Sequence, residues 1–148
     1  MRISAKGRYA LAATISMAEN YSNGENITVI SISEKLGISK IYLEQVFSLL
    51  KRGSIVNSIK GAQGGYQLAR MPSQITVLEV LKAVEFSLFE PTEETVQSKA
   101  PEFEAAMRFS VFDALDRAVR NTLGQITLYD LITEAEKHKA DQGFMFFI

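Results

Sequence analysis

Apolar residues recur with helical spacing through the first fifty positions, and polar punctuation cuts that pattern into three. Ser4 is a good N-cap, and Tyr9, Ala10, Leu11, Ala13, Ile15 and Met17 behind it predict a first helix to about Glu19. Asn23-Gly24 breaks the chain. Val29, Ile32 and Leu36 form the inward stripe of a second helix, opened by Ile27 or Thr28, with Ser31-x-x-Glu34 as an alternative capping box. Gly37 suits a left-handed cap and Ser39 an N-cap. In the third helix Leu43, Val46, Phe47 and Leu50 fall at i, i+3, i+4, i+7, one buried stripe. Lys51 and Arg52 suit its C-terminus, and Gly53 ends it.

The period then shortens. Residues 55–60 and 66–69 read as strands flanking Gly61-Ala62-Gln63-Gly64-Gly65, a hairpin with a glycine-rich tip. Thr76-x-x-Glu79 opens a fourth helix carrying Val77, Leu78, Val80, Leu81 and Val84. Residues 87–101, with Pro91 and Pro101, read as a loop. A long helix follows from about Glu102 to Leu123, closed by Gly124, and Thr127 caps a last helix to about Lys139 before an apolar tail. The expected class is mainly α: a winged helix-turn-helix with a β-hairpin wing and a long C-terminal dimerisation helix. The expected division is 1–86 for DNA binding, 87–101 as a loop and 102–148 for dimerisation.

Composition narrows the chemistry. The 148 residues contain no cysteine, which removes disulfides, thiolate zinc sites, cysteine-held iron–sulfur clusters and cysteine nucleophiles. A single histidine, with no P-loop, nucleophile elbow or spaced ligand pair, argues against an enzyme and leaves no cofactor expected. No apolar run approaches the ~18–20 residues that span a bilayer, and the N-terminus is a poor signal peptide. A cytoplasmic protein without membrane association is therefore expected. The net charge of −1 hides an asymmetry. Residues 1–70 hold nine Lys/Arg against four Asp/Glu, a net of +5, and residues 71–148 hold seven against thirteen, a net of −6. A basic half suits a polyanion and an acidic half suits assembly or control, although surface solubility alone also produces such a split.

The element order is that of a winged helix-turn-helix. Burying the stripe of the third helix leaves Lys40, Tyr42, Glu44, Gln45 and Ser48 outward. A major groove admits one helix, whose first-turn side chains reach base edges. Gln45 has the geometry to pair with adenine and Glu44 to accept from a cytosine amino group; a merely solvated Glu44 is equally compatible. Lys6, Arg8, Lys35, Lys40, Lys51, Arg52 and Lys60 are candidate phosphate neutralisers, each singly explicable as a solvated cation. Lys60 precedes the hairpin tip and could enter a minor groove, and Gly61, Gly64 and Gly65 let backbone approach a sugar-phosphate chain.

The long helix is apolar on two faces. Phe103, Met107, Val111, Ala114 and Ala118 cluster on one side, and Ala105, Phe109, Phe112 and Val119 nearly opposite; Leu115 is a further candidate contact. One cover is the helix's own domain, the other most simply a second copy, although a larger monomer core would also serve. A two-fold homodimer suits palindromic duplex DNA.

Four blocks in order carry a resemblance over essentially the whole chain: residues 1–10 (MRISAKGRYA), 38–45 (ISKIYLEQ), 58–66 (SIKGAQGGY) and 124–131 (GQITLYDL). The sequence resembles the Rrf-two family of bacterial winged-helix regulators, which includes the IscR, NsrR and CymR types. The resemblance implies a homodimeric transcription factor with its wing in the minor groove, and Ser39, Tyr42, Glu44, Gln45 and a basic wing residue facing DNA. That wing residue is Lys60 here, where relatives often carry arginine, and lysine cannot copy arginine's fork. Cluster-binding relatives place three cysteines where this chain has residues 88–101, with none. Glu90, Glu93, Glu94 and His138 are conceivable hard-cation ligands, but a solvated acidic loop and a surface histidine are the simpler reading, so no metal is expected.

The tail, Phe144-Met145-Phe146-Phe147-Ile148, is apolar behind a polar stretch. It either packs on its own dimer or serves as a docking peptide through Phe146, Phe147 and Ile148. It looks like the tail of the cluster-free CymR type, which implies repression of cysteine and sulfur-uptake genes with cysteine synthase as protein corepressor. The alternative is a regulator that senses a small molecule in a pocket between its DNA-binding and dimerisation parts.

Overall fold

The structure is a computed structural model describing residues 2–24, 26–62 and 64–146. Helix α1 (Ala5–Glu19) starts where the Ser4 hydroxyl accepts the Gly7 N–H at 3.3 Å. Its buried face is built from small residues, among them Ala10 and Ala13 at zero exposure, which lets the helices over Lys40–Arg52, Val77–Val84 and Leu128–Phe146 approach closely. Thr14 is buried on the same face and donates its hydroxyl hydrogen to the Ala10 carbonyl at 2.8 Å, which removes the cost of an unpaired polar group. Helix α2 (Val29–Leu36) is opened by Thr28, whose hydroxyl accepts the Ser31 N–H at 3.1 Å, and this decides between the alternative starts. Gly37 ends it at φ +68°. The Ser33 hydroxyl donates to the Ile38 carbonyl at 2.6 Å and closes the turn before α3 (Lys40–Arg52), capped by Ser39.

Leu43, Val46, Phe47 and Leu50 are buried, as their spacing predicts. Each such side chain contributes roughly 1.5–3 kcal/mol by leaving water. Strands β1 (Val56–Ile59) and β2 (Gly65–Leu68) pair antiparallel, with Val56 opposite Leu68 and Ile59 opposite Gly65. The hairpin is fastened to the body twice. Ile27 and Tyr66 exchange backbone hydrogen bonds at 2.8 and 2.7 Å, and the Tyr66 ring lies 4.7 Å from that of Phe47. Helix α4 (Val77–Val84) follows a 3₁₀ turn at Pro72–Gln74 and is capped by Thr76, whose hydroxyl accepts the Glu79 N–H at 3.2 Å.

A second 3₁₀ turn, Ser87–Phe89, and a coil lead to α5 (Pro101–Met107) and α6 (Asp113–Gly124). These are halves of the expected long helix, with a π turn at Arg108–Phe112 between them, where the Asp113 N–H reaches the Arg108 carbonyl five residues back. A π turn adds a residue per turn, so the two halves do not present the faces of one uninterrupted α-helix. Helix α7 (Leu128–Phe146) begins with a reciprocal cap: the Thr127 N–H donates to Asp130 at 2.9 Å and the Asp130 N–H to the Thr127 hydroxyl at 3.1 Å. It runs past the expected end near Lys139 and through the first three residues of the apolar tail. No proline interrupts 128–146, and Gly143 meets nothing within 4 Å, so no local feature stops the helix earlier.

The core is shared between both halves of the chain. Leu128 is fully buried with Phe47, Leu50 and Ile75, and Thr127 pairs with Thr76. Leu128 N–H donates to the Ile75 carbonyl at 3.0 Å, and Val77 N–H to the Ile126 carbonyl at 2.8 Å. The last helix is thereby rooted in the body that carries α3, and it packs along α1.

Candidate nucleic-acid interface

With its apolar stripe inward, α3 exposes the opposite stripe: Ile41, Glu44, Gln45 and Ser48, again at i, i+3, i+4, i+7. These four share a shallow concavity with Lys6, near the start of α1. Lys40 is exposed and lies 3.7 Å from Glu44. Such exposed i,i+4 pairs contribute only ~0.3–0.5 kcal/mol, so the acid is partly neutralised yet free to exchange partners. Lys51 and Arg52 are exposed at the far end of the helix, and Ser39 at its start.

Two expected residues behave differently. Tyr42 is half-buried, its ring edge-on to Tyr9 with centroids 5.0 Å apart, so it buttresses α3 on α1 and presents only part of itself outward. Lys35 is exposed but tied to α1, donating to the Ser16 hydroxyl at 3.0 Å and lying 3.5 Å from Glu19. Arg8 is exposed and its guanidinium donates to the Ile3 carbonyl at 2.7 Å, bracing the segment before α1.

On the wing, Lys60, Gly61 and Ala62 are exposed. Gly61 has φ +116°, a backbone only glycine adopts without strain. Gly64 and Gly65 serve close approach instead. A Cβ on Gly64 would stand 2.5 Å from the Ile59 carbonyl oxygen, and one on Gly65 2.6 Å from that of Ile27. The wing glycines thus set the hairpin's shape and its seat on the body.

The buried carboxylate of Glu85, only 5% exposed, escapes periodicity reasoning. It accepts from the Ser4 hydroxyl and, at 3.3 Å, from the Ser4 N–H. It fixes the start of α1, where Lys6 and Arg8 project, to the end of α4. Its only sequence signal is an acid immediately after an amphipathic helix.

Of the candidate assembly residues, Phe103, Val111, Ala114 and Ala118 remain exposed, with Leu115 at 58%, while Met107 is half-buried. On the opposite set Phe112 and Val119 are half-buried against the chain's own body, but Phe109 is 73% exposed and Ala105 is exposed. Uncovered apolar side chains thus run along α5, the π turn and α6, from Phe103 through Phe109, Val111 and Leu115 to Ala118. Beside it, the loop 92–100 is pinned to α5 by Glu104: its Oε1 accepts from Thr95 and Val96 N–H at 2.6 and 2.8 Å. Those bonds, with Arg108 nearby, hold its pKa below the usual carboxylate range. Its Oε2 is buried and has no hydrogen-bond partner among the described residues.

Small cavities also occur. One of about 360 Å³ lies between the end of α1 and β2, lined by Met17, Asn20, Tyr21, Ile27, Gln67 and Leu68. An apolar crevice between Ile3 and α6 (Ala118, Val119, Thr122, Leu123) and a more polar one between α1 and α7 (Ala18, Glu19, Ile132, Glu136) both lie between the expected DNA-binding and dimerisation parts. Phe147 and Ile148 lie outside the described residues. No helix among the described residues is long and apolar enough to cross a membrane.

A helix-turn-helix with an exposed polar stripe, a glycine-built wing and an uncovered apolar helix defines a winged-helix regulator. The chain belongs to the Rrf2 family of iron-dependent transcriptional regulators, whose pattern matches residues 3–134. It is 35% identical to the HTH-type transcriptional regulator IscR of Klebsiella pneumoniae over 136 residues, 92% of this chain and 82% of that protein. Among solved structures it superposes on T. potens IscR with TM-score 0.73 at 31% identity, covering 99% of this chain and 96% of that one. It superposes on CymR (YrzC), the global cysteine regulator of B. subtilis, with TM-score 0.71 at 31% identity, covering 90% and 98%. Regulators of this family bind DNA and act as dimers, and the relatives are named as regulators, not enzymes.

The iron dependence in the family's description finds no donor set among the described residues. Cysteine is absent from the sequence, and the described residues contain no group of three or more His, Asp or Glu that could hold a metal ion. His138 instead lies 3.1 Å from Glu134 on an exposed face of α7.

Proposed function

We propose that this chain is a two-fold repressor of cysteine or sulfur-metabolism genes in the cytoplasm. It reads a palindromic operator with α3 in the major groove and the wing in the minor groove. Gln45 and Glu44 contact base edges. Ser39, Tyr42, Lys40, Lys6, Arg8, Lys51 and Arg52 engage the backbone, and Lys60 with Gly61, Gly64 and Gly65 forms the wing contact. The observation that carries this reading is the single polar stripe of α3 lying beside Lys6, opposite the buried one. The second copy covers Phe103, Met107, Val111, Ala114, Leu115 and Ala118, with Phe109, Phe112 and Val119 at the margin.

One fact favours the sulfur branch over an iron-sensing one, and one likeness is compatible with it. Cysteine ligands are missing, and CymR, described as a global cysteine regulator, is a structural likeness over nearly its full length. The signal then arrives through a protein, cysteine synthase, which docks the apolar segment Phe146, Phe147 and Ile148 at the end of α7. The rival input is a small apolar effector in the crevice between Ile3 and α6.

The test is recovery of genomic duplexes bound by the full chain with and without excess cysteine, followed by affinity measurement over a salt series. A sequence-selected duplex upstream of sulfur genes and a steep loss of affinity with salt are expected. Absence of sequence preference at modest salt refutes the DNA reading. Removing residues 144–148 is expected to abolish cysteine synthase binding while leaving the dimer folded, and undiminished binding refutes the docking assignment alone.

A further inference from the structure

Ile41 is 71% exposed, more than any other large apolar side chain described between residues 2 and 100. It stands in the first turn of α3, outside the core cluster and its half-buried rim. Its neighbours in the surface concavity are Lys6, Glu44, Gln45, Ser48 and Leu49. Lys40 precedes it, and Lys51 and Arg52 end the same helix. This surrounding is cationic and polar, unlike the uncovered face of α5 and α6, so an apolar protein surface is a poor match for it. A polyanion that displays one apolar group is a good match. In the major groove that group is the C5-methyl of thymine.

We infer that Ile41 is a specificity residue that packs on a thymine methyl in each half-site. The inference rests on the DNA reading proposed above and adds a base to it. The stripe Ile41, Glu44, Gln45, Ser48 then divides the labour: two hydrogen-bonding side chains follow one that reads shape and methylation of the pyrimidine. First-turn placement is what brings a short, β-branched side chain to the floor of the groove. Because Ile41 supports nothing in the core, replacing it leaves the fold intact.

The experiment starts from an operator selected by the full chain from a randomised duplex pool. Each thymine is replaced in turn by uracil, which deletes the methyl and nothing else, and affinity is read by fluorescence anisotropy for the natural protein, Ile41→Ala and Ile41→Ser. One position per half-site is expected to lose about fourfold affinity with the natural protein, the effect of one buried methyl group, and about fifteenfold when both half-sites are changed. That loss is expected to vanish in both variants while salt dependence stays unchanged. A selected operator whose uracil profile is the same for natural protein and variants overturns the Ile41 assignment and leaves the DNA reading standing. Failure to select any operator overturns the DNA reading itself. Wild-type affinity in both variants, with loss only of an apolar protein partner, overturns the inference in favour of a protein contact.

Discussion

Gly65→Ala isolates the wing's seat from its tip. The new Cβ would stand 2.6 Å from the carbonyl oxygen and 3.0 Å from the carbonyl carbon of Ile27, where ordinary contact begins near 3.4 Å. The obstacle is backbone, so no rotamer change relieves it. The two segments must part by about 0.8 Å, which stretches the 2.8 and 2.7 Å bonds between Ile27 and Tyr66 beyond useful length. Two such bonds contribute about 2 kcal/mol net, and residual crowding adds up to about 1 kcal/mol. For a chain of this size that is roughly a 5–10 °C drop in melting temperature, measured at fixed protein concentration because the family acts as dimers. Operator affinity falls as well, because Lys60 moves with the hairpin. Gly143→Ala is the control: its Cβ meets nothing within 4 Å on an exposed turn of α7, so melting temperature holds or rises. A Gly65→Ala protein that melts within about 1 °C of the natural one refutes the close-approach argument.

Leu115→Glu places a charge on the uncovered apolar face; light scattering is expected to report monomers that retain the natural circular dichroism, and an intact dimer would move the interface elsewhere. Lys51→Ala is expected to weaken all duplexes alike and flatten the salt slope of the dimer by about two units, one per protomer, whereas Gln45→Ala relaxes preference at one base pair of each half-site; equal effects on all sequences from both would contradict the division of roles. Glu79 and Glu104 are both held below the ordinary carboxylate range, Glu79 first by its hydrogen bond with Arg70 and Glu104 by the Val96 and Thr95 N–H groups. Their ionised forms therefore favour the native state above the unfolded carboxylate value, about pH 4.3, and that contribution disappears as pH falls through their lower native values. Urea midpoints measured from pH 7 to 3 are expected to fall at the acid end, with a shallower fall in Glu79→Gln and Glu104→Gln. Glu104→Gln is also expected to speed amide exchange at Thr95 and Val96, which an unmoved loop would rule out.

Local chemistry reaches far in this chain because its elements are capped and patterned at short range. Ser4, Ser39, Thr76 and Thr127 start their helices, Gly37 stops one, and the stripe from Leu43 to Leu50 faces inward, as residue type and spacing predict, whereas the start at Thr28 is one of several that the sequence allows. The outward stripe of α3 follows directly, since whatever a helix does not bury it must show. Tertiary packing decided the rest. Whether a half-polar ring such as Tyr42 points out or lies on Tyr9 depends on an element thirty-three positions away. Lys35 is drawn to α1 by Ser16 and Glu19, and Glu85 is buried only because Ser4 is there to donate. A π turn at Arg108–Phe112 breaks the long helix that periodicity predicts, and the bridge from Thr76 to Thr127 roots the last helix in the core that carries α3. Sequence periodicity records what each segment can bury, whereas partners brought together by folding determine what it does bury.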